Sequence, residues 1–575
     1  MLVALCGWAL CSLGRWRGTD WSAQVYRVNQ VSHWGFTIWD PGWYGGTYPL
    51  NYSLVYPLAA GFLGLWLVAG LSVAVAAFCF DRLAVREFRK RPAGSWYFAA
   101  STVIEVAIGQ LPTLAAEALA LASVLCLAHF CRPGRPPRMG PGPHGRPGRV
   151  TPALQLTGGL ALGVLAALTS PVVGAFLALA LVAWGAADIG RVAPRTAAVE
   201  LLAGALVFVS AAALPLVFPG PGYFPFGLGD LVVILLICAL LAGPPLRAAR
   251  PVRVAAVLYG VVSIGLFAAP TQMGDNDARF AAYIGVPLVI CYTARFVNES
   301  ATRRSLTGAR LTDPDRLRAP DRLGTTVAAS VSAAVALFLV VWHWTPIVEA
   351  FDGAANGASS TAAYYQPLID ELDRLSGGQP VRLEIPPTVH HWESAYVAPR
   401  FPLARGWERQ LDVAYDSLFY RSGSLPAASY RSWLLSNGVS YVALPDAPLD
   451  YSATAEAALL RSGAVKGLQP VWRTAQWEMW RVQGSPGLAT GPARIRSLTP
   501  RSVGVQVAAP GRSVLRLRWS PYWSIAPSAA ARACVSRGPG GWTELTSAGP
   551  VQLQLTLSVV HADHGHCAVT GGVPS

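Results

Sequence analysis

The chain has 575 residues, of which 53% are hydrophobic and only 13% are charged. A soluble domain carries about a quarter of its residues as charged side chains, so this composition excludes a wholly soluble protein. The net charge of +14 comes almost entirely from arginine. It does not indicate a nucleic-acid partner, because the basic clusters lie between long apolar runs, as the cytoplasmic loops of membrane proteins do.

Apolar runs fill the chain up to about residue 344. They predict about eleven membrane spans: 1–14, 54–79, 96–109, 113–130, 152–168, 172–188, 197–217, 230–244, 252–268, 280–293 and 324–344. The basic clusters between them are 82–91, 132–149, 247–253 and 295–322. If the N-terminus is cytoplasmic, the positive-inside rule places every cluster inside and the C-terminal half outside. The sequence therefore predicts a multi-pass protein of the cytoplasmic membrane with an extracytoplasmic C-terminal half.

The predicted domains are a membrane domain over 1–344, with its exported first loop at 15–53, and a polar C-terminal half. In that half, helical spacing and short alternating segments predict an α/β domain over 345–484. Alternating segments separated by turns then predict a small β-sandwich over 485–575. Cys534 and Cys567 are the only cysteines of this half, and an oxidising compartment favours a disulfide between them.

The first exported loop is crowded with Trp and Tyr and holds two carboxylates, Asp20 and Asp40. Helices that face lipid do not need such a loop. Aromatic faces suit sugar rings or lipid headgroups, and a carboxylate can act as a base or as a metal ligand. The loop is therefore predicted to form a site at the membrane–water boundary.

The order of residues in this loop carries a resemblance. A first span is followed by Thr19–Asp20, by Tyr26–Arg27 and by "WDPGWYGGTYPLNYSLVYP". This pattern resembles the first exported loop of the GT-C glycosyltransferases and is similar to that of the oligosaccharyltransferase catalytic subunit. Segments 164–178 and 274–288 resemble actinobacterial glycosyltransferase-like membrane proteins, and "WSPYW" at 519–523 is similar to the end of YfhO-type membrane proteins.

The resemblance implies a GT-C-like helical membrane domain. It also implies inverting transfer of a sugar from a polyprenyl phosphate to an envelope glycan, lipid or protein, with a divalent cation (Mg²⁺ or Mn²⁺) as a candidate cofactor. The second acidic motif of oligosaccharyltransferases is missing, since the next exported loop is only "GQLP" at 109–112, and "WWDYG" is absent. Sequon glycosylation is therefore disfavoured. A transporter or flippase and a non-catalytic envelope assembly protein remain alternatives, although no inverted repeat supports a transporter.

The candidate catalytic carboxylates are Asp20, Asp40 and Glu105. Inverting transfer needs a base near the acceptor hydroxyl and positive charge near the leaving phosphate. Asp20 is the preferred base, with a helix cap as its alternative, whereas "WDP" makes Asp40 more typical of a turn. Glu105 and Glu117 lie inside apolar runs, where an acid faces either a cavity or a neighbouring helix.

The candidate donor-binding residues are Arg279, Tyr26, Arg27, Trp43 and Tyr44. In "GDNDAR", Asp275 and Asp277 are weak candidates for a shared divalent cation, with a helix cap as the alternative. The candidate acceptor-binding residues are His391, Trp392 and Arg405. Their segments, "HHWESAY" and "RGWERQLD", lack the third ligand of a zinc site, and the alternative is a packed surface with ion pairs.

Overall fold

The computed structural model describes residues 1–132, 151–244, 246–308, 321–351, 357–421, 423–560 and 565–567. The chain divides into two compact units. The membrane unit comprises Met1–Trp16, Tyr52–Pro219 and Tyr223–Ala350. The extramembrane unit comprises Arg17–Asn51, Gly220–Gly222 and Phe351–Ser575. Apart from Arg132, the predicted cytoplasmic tract at 132–149 lies outside the described residues.

The first loop belongs to the extramembrane unit. The predicted membrane domain includes 15–53, whereas Arg17–Asn51 groups with the C-terminal half. The physical reason is packing, because loop side chains such as Trp21, Tyr26 and Trp43 are buried. A folded unit outside the bilayer lies on one side of it. The loop and the C-terminal half are therefore on the same side of the membrane, as the predicted topology also requires.

The helices up to residue 351 are, in chain order, α1 Leu2–Leu13, α2 Trp21–Trp34, α3 Val55–Leu63, α4 Leu65–Phe88, α5 Ala93–Ile108, α6 Leu111–Cys131, α7 Pro152–Thr169, α8 Pro171–Asp188, α9 Pro194–Val217, α10 Leu228–Ala242, α11 Arg250–Ala268, α12 Ala278–Phe280, α13 Val286–Gly308 and α14 Asp321–Phe351. Helix α2 is in the extramembrane unit. Eight candidate spans in the described residues are long and apolar enough to cross a membrane, and α1 and α10 are shorter apolar helices. The protein is therefore multi-pass, while the count of about eleven spans remains a prediction.

Small residues allow the membrane helices to approach closely. A Cβ added to Gly94 in α5 would lie 2.4 Å from the carbonyl oxygen of Pro287 in α13. One added to Gly174 in α8 would lie 2.7 Å from Cα of Ala167 in α7. Close backbone approach supplies van der Waals contact where lipid provides no hydrophobic driving force between helices.

The extramembrane unit continues with the helices α15 Ala362–Ser376, α16 Glu393–Tyr396, α17 Arg409–Tyr415, α18 Ala427–Ser436, α19 Thr454–Arg461 and α20 Pro527–Ala530. Its strands are β1 Arg382–Glu384, β2 Val439–Pro445, β3 Leu468–Arg473, β4 Trp477–Val482, β5 Ala493–Leu498, β6 Ser502–Val507, β7 Gly511–Arg518, β8 Trp523–Ile525, β9 Ala533–Arg537, β10 Trp542–Ser547 and β11 Val551–Leu557.

The first four strands form one mixed sheet in the order β1-β2-β4-β3, with β1 parallel to β2 and the other pairs antiparallel. Helix α18 ends before Gly438, whose φ of +65° allows the sharp turn into β2. The remaining strands form the sheets β7-β10-β9 and β5-β6-β11-β8. Both sheets contribute alternating side chains, such as Val505 and Leu545, to one apolar core, as in a small sandwich.

Candidate functional site

A cavity of about 390 Å³ lies among the membrane helices. Its lining is mostly aliphatic and aromatic and comes from α4, α6, α8, α10, α11 and α13. Lining residues extend along α6 from Thr113 to Arg132, which at 1.5 Å per residue is about 28 Å and close to the thickness of a bilayer core. The shape and polarity therefore suit a long apolar chain.

One end of the cavity carries Glu117, Thr113 and Arg279. Arg279 Nη1 donates a hydrogen bond of 3.2 Å to Thr113 Oγ1. Next to them, Tyr283 Oη donates to Gln110 Oε1 at 2.7 Å. A π-helical turn at Ala281–Gly285 follows Arg279, and it contains Tyr283. The sequence predicts Arg279 as a donor-binding residue. It does not predict the nearby polar residues Thr113, Tyr283 and Gln110, whose only signal in the sequence is that they are polar and lie at the edges of apolar runs.

Glu105 lies beside Glu117, so the structure brings these two predicted intramembrane acids together. Both are buried, with 1% and 5% of their surface exposed. The two carboxyl groups share a hydrogen bond that Glu105 donates to Glu117, and no other donor from the described residues reaches Glu105 Oε1 or either oxygen of Glu117. Arg279 is close enough for its positive charge to act on Glu105. A buried acid is costly in a protein and more so in a membrane.

Asp275 and Asp277 are the predicted cation ligands. Asp275 contacts Asp230, and the charges of Arg279 and Asp277 act on it, while the carboxylate of Asp277 faces Ser263. Among the described residues, no group of three or more His, Cys, Asp and Glu side chains has a metal-binding arrangement. The side chain of Asp277 makes no capping hydrogen bond to the following helix. The divalent cation stays a prediction from the sequence.

Asp40 lies in a closed hydrogen-bond network inside the first loop. It accepts hydrogen bonds from Tyr26 Oη at 2.8 Å, from Gly42 N at 2.9 Å and from Gln30 Nε2 at 3.1 Å. Its backbone pairs with that of Thr47 in an isolated bridge. Burial raises the pKa of Asp40, and the three donors oppose that rise. These contacts give Asp40 a structural role in closing the loop, and its role as a base stays a prediction.

The other predicted donor-binding residues of the loop are buried as well. Arg27 forms an ion pair of 2.8 Å with Glu408 and lies over the Trp43 ring. Trp43 stacks on Tyr26 with 4.5 Å between ring centroids. Tyr44 Oη donates to the backbone oxygen of Glu408 at 3.0 Å. All four side chains thus hold the loop within the extramembrane unit, and donor binding by them stays a prediction.

The predicted acceptor-binding residues are buried in ion pairs and stacks. Arg405 forms a bidentate pair with Asp412, at 3.1 and 2.6 Å. His391 has a left-handed φ of +52°, and its Nε2 lies 3.7 Å from Asp450 Oδ2. Trp392 stacks on Tyr396. Their surfaces are at most 4% exposed, so the packed alternative describes them better than an open glycan site.

Asp20 is the predicted catalytic residue of this unit that keeps partial exposure. It holds the N-cap position of α2, but its side chain makes no capping hydrogen bond. The preceding Thr19 is held on two sides. Trp407 Nε1 donates a hydrogen bond to the backbone oxygen of Thr19 at 3.2 Å, and the hydroxyl of Thr19 lies 3.4 Å from His390 Nδ1. The structure therefore does not support the helix-cap alternative for Asp20.

In the sandwich, Cys534 and Cys567 are joined by a disulfide with 4.8 Å between their Cα atoms. Cys534 lies in β9, and the backbone of Cys567 donates to Val535 O at 3.0 Å. The pair therefore ties the end of the chain to the sandwich.

No protein-family model matches the chain, and no curated protein matches it. Among solved structures, it is similar to two cryo-EM structures, Class 2 and Class 1, of a mutant of the arabinofuranosyltransferase AftD from Mycobacteria. The first has 14% identity and a TM-score of 0.45, and the match covers 84% of this chain and 41% of that one. The second has 12% identity and a TM-score of 0.38, covering 93% and 58%. The chain thus spans less than two thirds of the length of these proteins.

Proposed function

We propose that the protein is a membrane glycosyltransferase. It transfers a sugar from a polyprenyl-phosphate donor to an envelope glycan, lipid or protein on the extracytoplasmic side, with inversion at the anomeric carbon. The observation that carries this proposal is the cavity in the membrane unit, which is apolar along its length and ends at Arg279. The resemblance of the first loop to GT-C enzymes supplies the class of reaction.

The cavity suits a lipid-linked donor for two physical reasons. An isoprenoid chain gains roughly 25 cal/mol for each Å² of apolar surface that it removes from water, and an apolar groove also accommodates it in lipid. A guanidinium such as Arg279 makes charge-assisted hydrogen bonds to phosphate, which are about twice as strong as neutral ones. Its contact with Thr113 holds the side chain at the cavity wall. The lipid then occupies the groove and the phosphate meets Arg279.

The lining weighs against the transporter alternative. A sugar headgroup crossing the bilayer needs polar partners along its path, whereas the lining between the two charged ends of this cavity is almost wholly apolar. The buried pair of acids weighs against a non-catalytic assembly protein. Glu105 and Glu117 lie side by side inside the membrane unit, and buried acids there are costly to fold and typical of groups kept for a reaction or a ligand.

The test uses the purified full-length protein with radiolabelled polyprenyl-phosphate pentoses and hexoses and an envelope fraction as acceptor. Transfer of label to acceptor, dependent on the protein, is the expected result. Movement of the headgroup across vesicles without transfer would indicate a flippase. Binding of the donor with neither transfer nor movement would indicate the assembly protein.

The orientation is tested separately in intact cells. Ser424 and Arg191 are both exposed, the first in the extramembrane unit and the second in the loop between α8 and α9. A membrane-impermeant thiol reagent should label Ser424→Cys and leave Arg191→Cys at the level of the parent protein, whose native cysteines set the background. Labelling of Arg191→Cys alone would reverse the proposed topology.

A further inference from the structure

Three glutamates of the membrane unit are buried, and they differ in what they face. Glu105, Glu117 and Glu200 are 1%, 5% and 0% exposed. Among these three, Glu117 lines the cavity, whereas Glu105 and Glu200 do not. Glu117 accepts a hydrogen bond from Glu105, and its place in the cavity lining is what distinguishes it from Glu200. Glu117 therefore presents a carboxylate to the space in which the donor would lie.

The position of Glu117 relative to Arg279 fits a displacement at carbon. Thr113 and Glu117 are four residues apart on α6, which places them on one face with about 5–6 Å between their Cβ atoms. Arg279 contacts Thr113 at 3.2 Å. A phosphate on Arg279 thus lies about one helical turn from the Glu117 carboxylate. Because the anomeric carbon is already bonded to the phosphate oxygen, only the attacking hydroxyl has to lie between that carbon and Glu117.

We propose that Glu117 is the general base of the transfer, an assignment that rests on the proposed function. Glu117 takes the proton of the acceptor hydroxyl as that oxygen forms its bond to the anomeric carbon. The bond between the anomeric carbon and the phosphate oxygen breaks on the opposite side, and its electron pair stays on the phosphate held by Arg279. The products are the glycoside, the polyprenyl phosphate and protonated Glu117.

Glu105 has a supporting part in this step. Before the reaction, Glu105 donates a hydrogen bond to the Glu117 carboxylate, which holds that carboxylate in place. Glu105 is thus a positioning residue. The rival base is Asp20, because Asp40 is surrounded by three donors.

The experiment measures single-turnover transfer at saturating donor, and donor affinity, for the full-length protein and five variants, one of which is Asp20→Asn in the rival base. Glu117→Gln keeps the size of the side chain and removes the base, so its rate should fall about 10²–10⁴-fold with little change in donor affinity. Glu200→Gln is the matched control, buried equally but away from the cavity, and should keep the wild-type rate. Glu105→Gln should shift the pH dependence of the rate with a smaller loss, and Glu117→Asp should retain part of the rate.

The outcomes separate the proposal from the function on which it rests. If the wild-type protein transfers no sugar, the proposed function fails. If it transfers and Glu117→Gln keeps the rate while Asp20→Asn loses it, the function stands and the base is Asp20. If Glu117→Gln loses donor affinity but not the rate at saturation, Glu117 binds the donor and is not the base. If that variant does not fold, Glu117→Asp decides, since a wild-type rate and pH profile there would contradict a base at this position.

Discussion

One arginine in each unit shows a contrast in hydrogen bonding. In the extramembrane unit, Arg405 is enclosed by Asp412, Glu456 and Ser452, with hydrogen bonds to each. In the membrane unit, Arg279 lines the cavity and donates a side-chain hydrogen bond to Thr113. A fully hydrogen-bonded network stabilises and specifies a fold, whereas a charged group at a cavity wall can bind a ligand. This contrast favours the membrane unit for the proposed donor site.

The largest expected effect concerns a satisfied arginine. Arg405→Met leaves the buried carboxylates of Asp412 and Glu456 without their cation, which should destabilise the extramembrane unit by about 3–5 kcal/mol. Thermal unfolding of the full-length protein in detergent, followed by Trp fluorescence, measures it. A variant that kept its melting temperature and lost only acceptor binding would restore the predicted acceptor role of Arg405.

A second stability effect concerns the disulfide of the sandwich. Cys534→Ser opens a loop closed over 33 positions, and the chain-entropy model assigns such a loop about 3–4 kcal/mol. The control is Cys6→Ser, which removes an exposed free thiol from the membrane unit. Denaturant unfolding should separate the two variants clearly. Equal stability for both would show that the bridge contributes nothing to this fold.

The matching change in the membrane unit should affect affinity instead of stability. Arg279→Gln removes a charge-assisted contact to phosphate worth about 1.5–3 kcal/mol, so donor affinity should fall roughly 10–150-fold. The melting temperature should stay near that of the wild type. Arg191→Gln, an exposed arginine of the same unit, should change neither quantity. If Arg279→Gln bound the donor normally, the comparison between the two arginines would fail.

The smallest effect is a pH dependence in the extramembrane unit. Burial raises the pKa of Glu384, as does the charge of Glu456, and burial raises the pKa of Glu456 from 4.5 to about 7. Between pH 4.5 and about 7, the folded unit therefore binds more protons at Glu456 than the unfolded chain does. The stabilisation from Glu456 is complete below pH 4.5 and is lost as the pH rises toward 7.

Glu384→Gln tests this pair, because the amide can donate to Glu456 at any pH. The variant should be more stable than the wild type at pH 8, by about 1 kcal/mol, and less dependent on pH. Melting temperatures from pH 5 to 8 measure the difference. An unchanged slope against pH would show that the two acids do not share a proton.

Local patterns in the sequence were sufficient for much of the architecture. The helical spacing and alternating segments predicted within 345–484 correspond to elements such as α15 and β4, because apolar periodicity is a local property. Arg279 was predicted from its place in the "GDNDAR" segment. The grouping of the first loop with the C-terminal half was not predicted. It depends on contacts such as Arg27 with Glu408, which are 381 residues apart in sequence.

The roles of the polar residues were harder to predict from the sequence than the helices and strands. Asp40 and Glu117 are both acids beside aromatic or apolar sequence, and no local pattern distinguishes them. Asp40 is satisfied by Tyr26, Gln30 and Gly42, whereas Glu117 faces a cavity formed by several helices. Whether a buried acid is satisfied depends on the assembled neighbours, which sequence spacing does not specify.

The central claim is that the lipid-linked donor binds in the cavity of the membrane unit. A photo-activatable polyprenyl-phosphate sugar, crosslinked to the full-length protein and mapped by mass spectrometry, tests it most directly. The account predicts crosslinks on cavity-lining residues such as Phe176, Leu288 and Tyr292, and their reduction in Arg279→Gln. Crosslinks confined to the first loop, around Trp43 and Tyr44, would contradict the account and return the donor site to the extramembrane unit.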